Sequence, residues 1–302
     1  MTSFSLKEKA PIRQVLLVAF NGINLQFKLF YELRFSLKHW ILILIVLGIA
    51  ISNPKSAHAY SKFPNQKGSE FTFGIGLQYL WAKADGSGRY TSNSIKGTSF
   101  KYDDLDLKDS RINIPVYDLY FGTRAHQLHF EFMQFTLEGS DRTNKPLTLD
   151  GTTYATGSSL STDLETRWAR AYYEFFDVRT NFSYGILLGV EQYKFSYDVL
   201  DNTTQTHNTF GMTTINPLLG MHVITGEGRF NLKLSAYYVP SLFGILDYKT
   251  LDLSAAAVFS FGNYVEIEGG YRFVNTIVNG DSNDDRNGIK LKGIFATFRI
   301  KF

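Results

Sequence analysis

The sequence predicts an all-β fold: a transmembrane antiparallel up-and-down β-barrel of about ten strands, with short turns at one end and long loops at the other. Three observations predict it. The last ten residues alternate apolar with polar. The connections between strand-like segments alternate in length. Aromatic residues make up 16% of the chain and gather at strand ends.

The C-terminal segment is the most informative. Ile294, Ala296, Phe298, Ile300 and Phe302 share one parity, and Thr297, Arg299 and Lys301 share the other. That is the period of a strand. An ordinary buried terminal strand also alternates. A strand with lipid on one side and a polar lumen on the other requires an apolar face this complete. The pattern resembles the C-terminal strand of bacterial outer-membrane β-barrels, over residues 60–302 at the level of architecture. The resemblance implies outer-membrane lipids, lipopolysaccharide and the barrel-insertion machinery as partners, with Phe298, Ile300 and Phe302 as the assembly signal.

The N-terminus agrees with export. Trp40–Ile51 is an apolar run of signal-peptide length, preceded by Lys28, Arg34 and Lys38 and followed by Ala57-His58-Ala59. An A-x-A site after such a run predicts cleavage behind Ala59, through Ala57 and Ala59, so that residues 1–59 are a signal peptide with a long n-region and residues 60–302 the barrel. An uncleaved anchor helix is the alternative, but the run is short for a bilayer. Residues 1–27 are either an extended leader or a start upstream of the true one. The leader carries seven of the Lys and Arg residues and two of the acids, so the chain's +3 becomes −2 in the mature part. Nothing in that balance suggests a nucleic-acid partner. With no Cys, the chain has neither a disulfide framework nor a lipid-anchored cysteine.

Ten segments read as strands. The first sets Phe71, Phe73, Ile75, Leu77, Tyr79 and Trp81 against Thr72, Gly74, Gly76, Gln78 and Leu80. The others lie near Ile112–Thr123, Gln127–Leu137, Thr166–Phe176, Phe182–Tyr197, Thr213–Ile224, Phe230–Val239, Leu251–Phe261, Val265–Val274 and the C-terminus. The register near Thr166–Phe176 is ambiguous by one residue because both faces are aromatic. Beyond Met133 the apolar parity switches, which suggests a bulge. Short connections lie at Arg124–His126, Asp177–Asn181, Thr225–Arg229 and Gly262–Tyr264. Long ones lie at Lys83–Arg111, Glu138–Glu165, Asp198–Gly211, Pro240–Thr250 and Asn275–Gly288. Short periplasmic turns facing long extracellular loops are expected of an outer-membrane barrel, and an even strand count puts both termini in the periplasm. A soluble sandwich has no reason to sort its loops this way.

Aromatics predict two girdles at the headgroups. Tyr79, Trp81, Tyr193, Phe195, Tyr197, Tyr237, Tyr238, Tyr271 and Phe273 fall at the long-loop end. Tyr120, Phe121, Tyr173, Phe175, Phe182, Tyr184, Phe259, Phe261, Phe298 and Phe302 fall at the short-turn end. Pro115, Pro217 and Pro240 read as lying near the long-loop end, where a missing ladder bond is met by water.

The inward parity predicts a lumen lined by Asp118, Glu131, Arg170, Glu174, Glu191, Lys233, Asp252, Glu266, Glu268, Arg272, Arg299 and Lys301, with a net charge of −2. Two interiors fit: paired charges that hold the wall in shape, or a hydrated, cation-preferring passage for small solutes. Lys233, Arg272 and Arg299 can pair with Glu191, Glu266 and Glu268, which favours the first; charge spread over several strands favours the second. The sequence reading prefers the narrow porin-like channel, with a non-conducting structural or adhesin-like barrel as its alternative.

Enzymes are the third class. The omptin outer-membrane proteases resemble this chain in size and strand count only. Their chemistry needs paired carboxylates and a His-Asp pair at the rim. Here His207 has no Asp two residues away, and Asp103, Asp104 and Asp106 have no matching His motif. Membrane phospholipases and lipid A deacylases pair a His with a nearby following Ser, which neither His207-Asn208-Thr209 nor His222-Val223-Ile224 supplies. The sequence therefore predicts no catalytic residues. Asp281, Asn283, Asp285 and Asn287 begin like a calcium loop, but Arg286 stands where the turn glycine belongs and no distal Glu follows. No metal or other cofactor is predicted.

Overall fold

The computed structural model describes residues 71–302 apart from 93–94, 108–110, 124, 179–181, 241–246, 263 and 280–285. The leader, with Ala57 and Ala59, and the calcium-like Asp281, Asn283 and Asp285 lie outside the described residues.

Ten antiparallel strands follow in chain order: β1 Thr72–Arg89, β2 Arg111–Gly122, β3 His126–Arg142, β4 Ser159–Val178, β5 Phe182–Asp201, β6 Thr206–Glu227, β7 Phe230–Val239, β8 Asp247–Phe261, β9 Val265–Asn279 and β10 Arg286–Lys301. Each pairs with its neighbour in sequence, and β10 pairs back onto β1 from Gly74↔Lys301 to Arg89↔Arg286, which closes the barrel. The last residue takes part in closure. Phe302 N–H donates to the Phe73 carbonyl at 2.7 Å, and Phe73 N–H donates back at 3.1 Å. At the short turns, Gly228 and Gly262 adopt φ of 66° and 65°, which a side chain tolerates poorly.

Strand length is the first departure from the sequence reading. A membrane crossing needs about 9–11 residues of tilted strand. β4 and β5 have 20 residues each and β6 has 22. Much of what reads as long loop is ladder: Lys83–Arg89 continues β1, Glu138–Arg142 continues β3, and the segment 198–211 is a strand pair joined only by Asn202–Gln205. Alternation is a poor guide there because the outward face is polar and the inward face aromatic.

The second departure explains the first. Inward parity is constant along each strand, but its chemistry inverts at one height. On β3, Phe130 and Phe132 face out beside inward His129 and Glu131; farther along, Gln134, Thr136 and Glu138 face out while Met133, Phe135 and Leu137 are buried. The β3–β4 register runs unbroken from His126↔Phe175 to Arg142↔Ser159, so there is no bulge at Met133. The inversion marks where lipid outside gives way to water. Gln134, Arg167, Lys194 and Thr213 form one cross-strand row at this boundary, and Arg111, Lys83 and Lys292 another.

Above it, the interior is an apolar core. Trp168, Tyr193, Phe195, Tyr197, Val199, Leu164 and Leu137 are buried from the wall. The two longest connections fold over the mouth. A short strand at Phe100–Lys101 leads into a 3-10 turn, Tyr102–Leu105, and a hairpin pairs Leu147–Leu149 with Thr152–Tyr154. They add Tyr90, Phe100, Tyr102, Leu105, Leu107, Leu147, Leu149 and Tyr154 to the core. Tyr193, Phe195, Tyr197 and Tyr237 therefore belong to the interior and not to the outer girdle, and Tyr120 is likewise inward. Tyr79, Trp81 and Tyr271 remain outside, as do Tyr173, Phe175, Phe259, Phe261, Phe298 and Phe302. Pro217 sits in mid-strand on β6, just beyond Leu219, the last residue there that pairs with β7.

Candidate functional site in the lumen

All twelve charged residues assigned to the lumen point inward, and eleven of them form two layers. The ambiguous register of β4 is settled by Arg170 and Glu174, both nearly inaccessible. In the middle layer two guanidinium groups interlock with three carboxylates. Arg170 donates through Nε to Glu191 and through Nη1 to Asp252 at 2.6 Å and Glu131 at 3.2 Å. Arg272 donates to Asp252 at 2.7 and 3.0 Å, to Glu131 at 2.9 Å and to the Gln78 side chain at 2.8 Å. Tyr248 donates its hydroxyl to Glu191, which offsets the carboxylate in excess. Arg170 also lies over the Tyr237 ring, 5.0 Å from its centroid.

Nearer the short turns, Arg299 bridges Glu268 at 2.8 Å, Glu266 at 3.3 Å and Asp118 at 3.3 Å. Lys233 reaches Glu268 at 3.3 Å, and Lys301 pairs with Glu266. Three bases thus meet three acids. Pairing of this kind is what a wall of charges away from bulk water requires.

Glu174 is the twelfth member, and its partners are ones the sequence reading passed over. His222 Nδ1 lies 2.7 Å from it and His129 Nε2 lies 3.4 Å from it. The chain extends both ways: His129 Nδ1 meets Asp118 at 3.3 Å, His222 Nε2 meets the Tyr237 hydroxyl at 2.9 Å, and Tyr237 meets Tyr172 at 3.3 Å. The net of −2 left the histidines out. Their signal was inward parity: His129 lies opposite Tyr172 on β4, and His222 opposite Gly185 on β5. A Cβ on Gly185 would meet the Glu174 carboxylate at 2.2 Å, so a side chain there would displace that carboxylate.

A cavity of about 180 Å³ opens at the short-turn end between these groups, lined among others by Asp118, His129, Glu174, His222, Glu266 and Arg299. It can hold water and hydrogen-bonding solutes. Ser183 Oγ, also on its wall, is buried without a partner. His222 directs Nε2 at Tyr237, so the geometry does not present that nitrogen to Ser183 as a base. Among the described residues no group of three or more His, Cys, Asp or Glu is arranged to hold a metal ion.

At the opposite rim, His207 pairs with Asp198 across the β5–β6 hairpin, and both are about half exposed. No Asp stands two positions from His207 in the sequence; the antiparallel hairpin supplies one nine positions away. Asp104 accepts from Lys101 N–H at 2.8 Å and faces Lys145 at 3.7 Å, and Asp106 takes the left-handed position closing the 3-10 turn. These are loop-shaping roles. Deep burial pushes the Tyr102 hydroxyl well above the usual phenol range, and Tyr197 beside it bonds Asn287 at 3.3 Å.

No family model matches the sequence, and no curated protein matches it. Among solved structures, the chain is similar to the outer-membrane protease OmpT from Escherichia coli, at 12% identity over 77% of this chain and 98% of that one, TM-score 0.46. It is similar to Ail, the attachment invasion locus protein of Yersinia pestis, at 12% over 76% and 99%, TM-score 0.34. It is similar to the Pseudomonas putida toluene transporter TodX at 7% over 78% and 90%, TM-score 0.30. These are, in turn, a protease, an attachment invasion locus protein and a transporter; this chain's own strand pairing makes it a closed antiparallel barrel of ten strands.

Proposed function

We propose that this protein is an outer-membrane barrel with a closed lumen, both termini and short turns in the periplasm, whose outer half is a rigid extracellular platform acting through its surface. One observation carries this: above the charged layers the interior is a continuous aromatic and aliphatic core, with Trp168, Tyr193, Tyr197, Tyr102 and Tyr248 all nearly inaccessible. A conducting pore needs a hydrated path, and the packed core among the described residues works against one. The locally paired charges below favour the same reading over the porin-like channel. The platform also favours a non-enzymatic role, since the rim aspartates are occupied with turns and His207 has a single exposed carboxylate partner.

The test is planar-bilayer conductance of the refolded protein, with insertion verified by the heat-dependent gel shift of folded barrels. No unitary steps are expected. Reproducible steps whose ion preference changes in Glu266→Gln with Glu268→Gln would restore the channel. Orientation is tested separately: a tag inserted at Asn202–Gln205 should be labelled on intact cells, and labelling only after lysis would invert the barrel.

A further inference from the structure

We infer that the long-loop mouth of the barrel holds a binding site for one neutral pyranose ring, a single sugar unit. The site is a cavity of about 130 Å³ between the β5–β6 hairpin, the start of β10 and the two connections folded over the mouth. It shares no lining residue with the lumen cavity. Strand lengths put it there. β7 ends at Val239, and Leu219 is the last β6 residue that it pairs with. Above that height β6 has no described strand beside it on that side, and its inward Phe210 and Met212 face the cavity.

The walls are preformed. Tyr90 packs on Phe210 with ring centroids 4.5 Å apart and on Phe195 at 5.9 Å, and all three are buried. Asp150 stands at the tip of the hairpin that pairs Leu147–Leu149 with Thr152–Tyr154. That tip is pinned from two sides. Asp150 N–H donates to the Tyr90 carbonyl at 3.3 Å, and Asn208 Nδ2 donates to the Leu149 carbonyl at 3.2 Å. One atom of the lining calls for a ligand. Asn287 is 2% exposed. The Tyr102 and Tyr197 hydroxyls both donate to its Oδ1, at 3.5 and 3.3 Å, and its Nδ2 has no partner. A buried amide donor left unpaired is costly, and an acceptor held in the cavity removes the cost.

The other lining groups define the class of that acceptor. Asp150 is half-buried and Arg286 exposed, so one acid and one base stand at the entry and the lining carries no net charge. An anion is repelled by Asp150, and a cation by Arg286. A neutral group that both donates and accepts satisfies these two and Asn287 together, and hydroxyls do so. The aromatic floor selects an apolar face, and the C–H bonds on one side of a pyranose offer one to the electron-rich ring faces. A hydrocarbon ring fills the same space but leaves Asn287 Nδ2 unpaired. Size limits the ligand to one ring. An apolar cavity of about 150 Å³ holds benzene, and this slightly smaller one, open beside Arg286, takes a six-membered ring whose far edge stays in water. The site gives the platform proposed above a ligand, and calling it extracellular rests on the orientation proposed there. The binding measurement is made on isolated protein and depends on neither orientation nor conductance.

The experiment uses the full chain folded in a polyoxyethylene detergent, which has no sugar headgroup to compete. Saturation-transfer NMR is recorded with the methyl glycosides of glucose, galactose, mannose and N-acetylglucosamine, and with cyclohexanol and benzoate as controls. At least one glycoside should show saturable transfer, strongest at the ring protons of one face, and the controls should show none. Asn287→Asp keeps the acceptor for both tyrosines and removes the Nδ2 donor; it should weaken binding at least tenfold. Asp150 adopts φ of 46°, which Asn also tolerates, so Asp150→Asn keeps the hairpin tip and should weaken binding severalfold. Lys194→Gln, on the outward face of β5, should leave binding within twofold. Transfer from no glycoside, equal transfer from cyclohexanol or benzoate, equal binding by wild type and Asn287→Asp, or equal loss in Lys194→Gln would each overturn the inference. If Asn287→Asp does not fold, Met212→Trp, which fills the cavity, should abolish the transfer, and persistence of the transfer would overturn the inference.

Discussion

The two halves of this barrel share one pleat and have opposite chemistry. In the membrane half, β5 turns Ile186, Leu188 and Val190 outward and Glu191 inward; a few residues on, Lys194 and Ser196 face out and Tyr193, Phe195 and Tyr197 face in. Backbone geometry does not change between them. The surrounding solvent does. Where lipid covers the outside, apolar groups go out and the interior takes the polar residues. Where water covers it, the strands pack like a soluble protein around an aromatic core. The lower interior is then held by directional charge pairs and the upper one by shape and area.

That contrast can be broken experimentally, and the largest effect belongs to closure. Phe302→Asp places a charge at the lipid-facing end of the seam, where Phe302 and Phe73 exchange backbone bonds and their rings lie 6.0 Å apart. Folded protein should be lost from membranes, as followed by the heat-dependent gel shift. Lys301→Gln should be mild, since Glu266 keeps Arg299 at 3.3 Å. Equal loss in the two would mean that lipid-facing parity does not govern assembly.

Next comes the charged layer. Arg170→Met leaves Glu191 buried with only the Tyr248 hydroxyl, while Asp252 keeps Arg272, and should cost about 3–5 kcal/mol in urea unfolding. Adding Glu191→Leu should recover part of the loss, because one stranded charge is removed. In the upper half Trp168→Ala, two residues away on the same inward face, should also cost about 3–5 kcal/mol, here through a cavity, and only large apolar replacements should recover it. Recovery of Trp168→Ala by removing a neighbouring polar group would erase the distinction.

Smaller effects probe the edges of the two regions. His222→Gln leaves Glu174 with His129 alone and should cost about 1–3 kcal/mol, measured in the same unfolding assay. At the exposed rim, Asp198→Asn should change stability by less than about 1 kcal/mol, because a solvated pair contributes little. A large loss there, or loss of a surface activity once one is known, would make the His207–Asp198 pair more than a surface contact.

Much of this was legible in the chain. The parity of the C-terminal strand, the position of the short turns and the inward set from Asp118 to Lys301 all follow from period-two alternation against lipid. The half above the boundary was not legible, for the same reason. In Lys83–Arg89 and 198–211 the alternation runs opposite to the membrane pattern, so it does not mark them as strand. Tyr193 and Phe195 were assigned to a girdle because an aromatic near a strand end looks the same facing in or out.

The sequence by itself determined the strand order, the inward parity and the class of environment, since those depend on residues one and two positions apart. Tertiary structure alone decided which charge meets which. Arg170 and Asp252 are 82 positions apart, Arg272 and Gln78 194 apart, and His222 finds Glu174 across the intervening β5. Those distances are set by barrel closure, register and tilt. The folding of Tyr102 and Leu149 into the core at the mouth depends on the same closure.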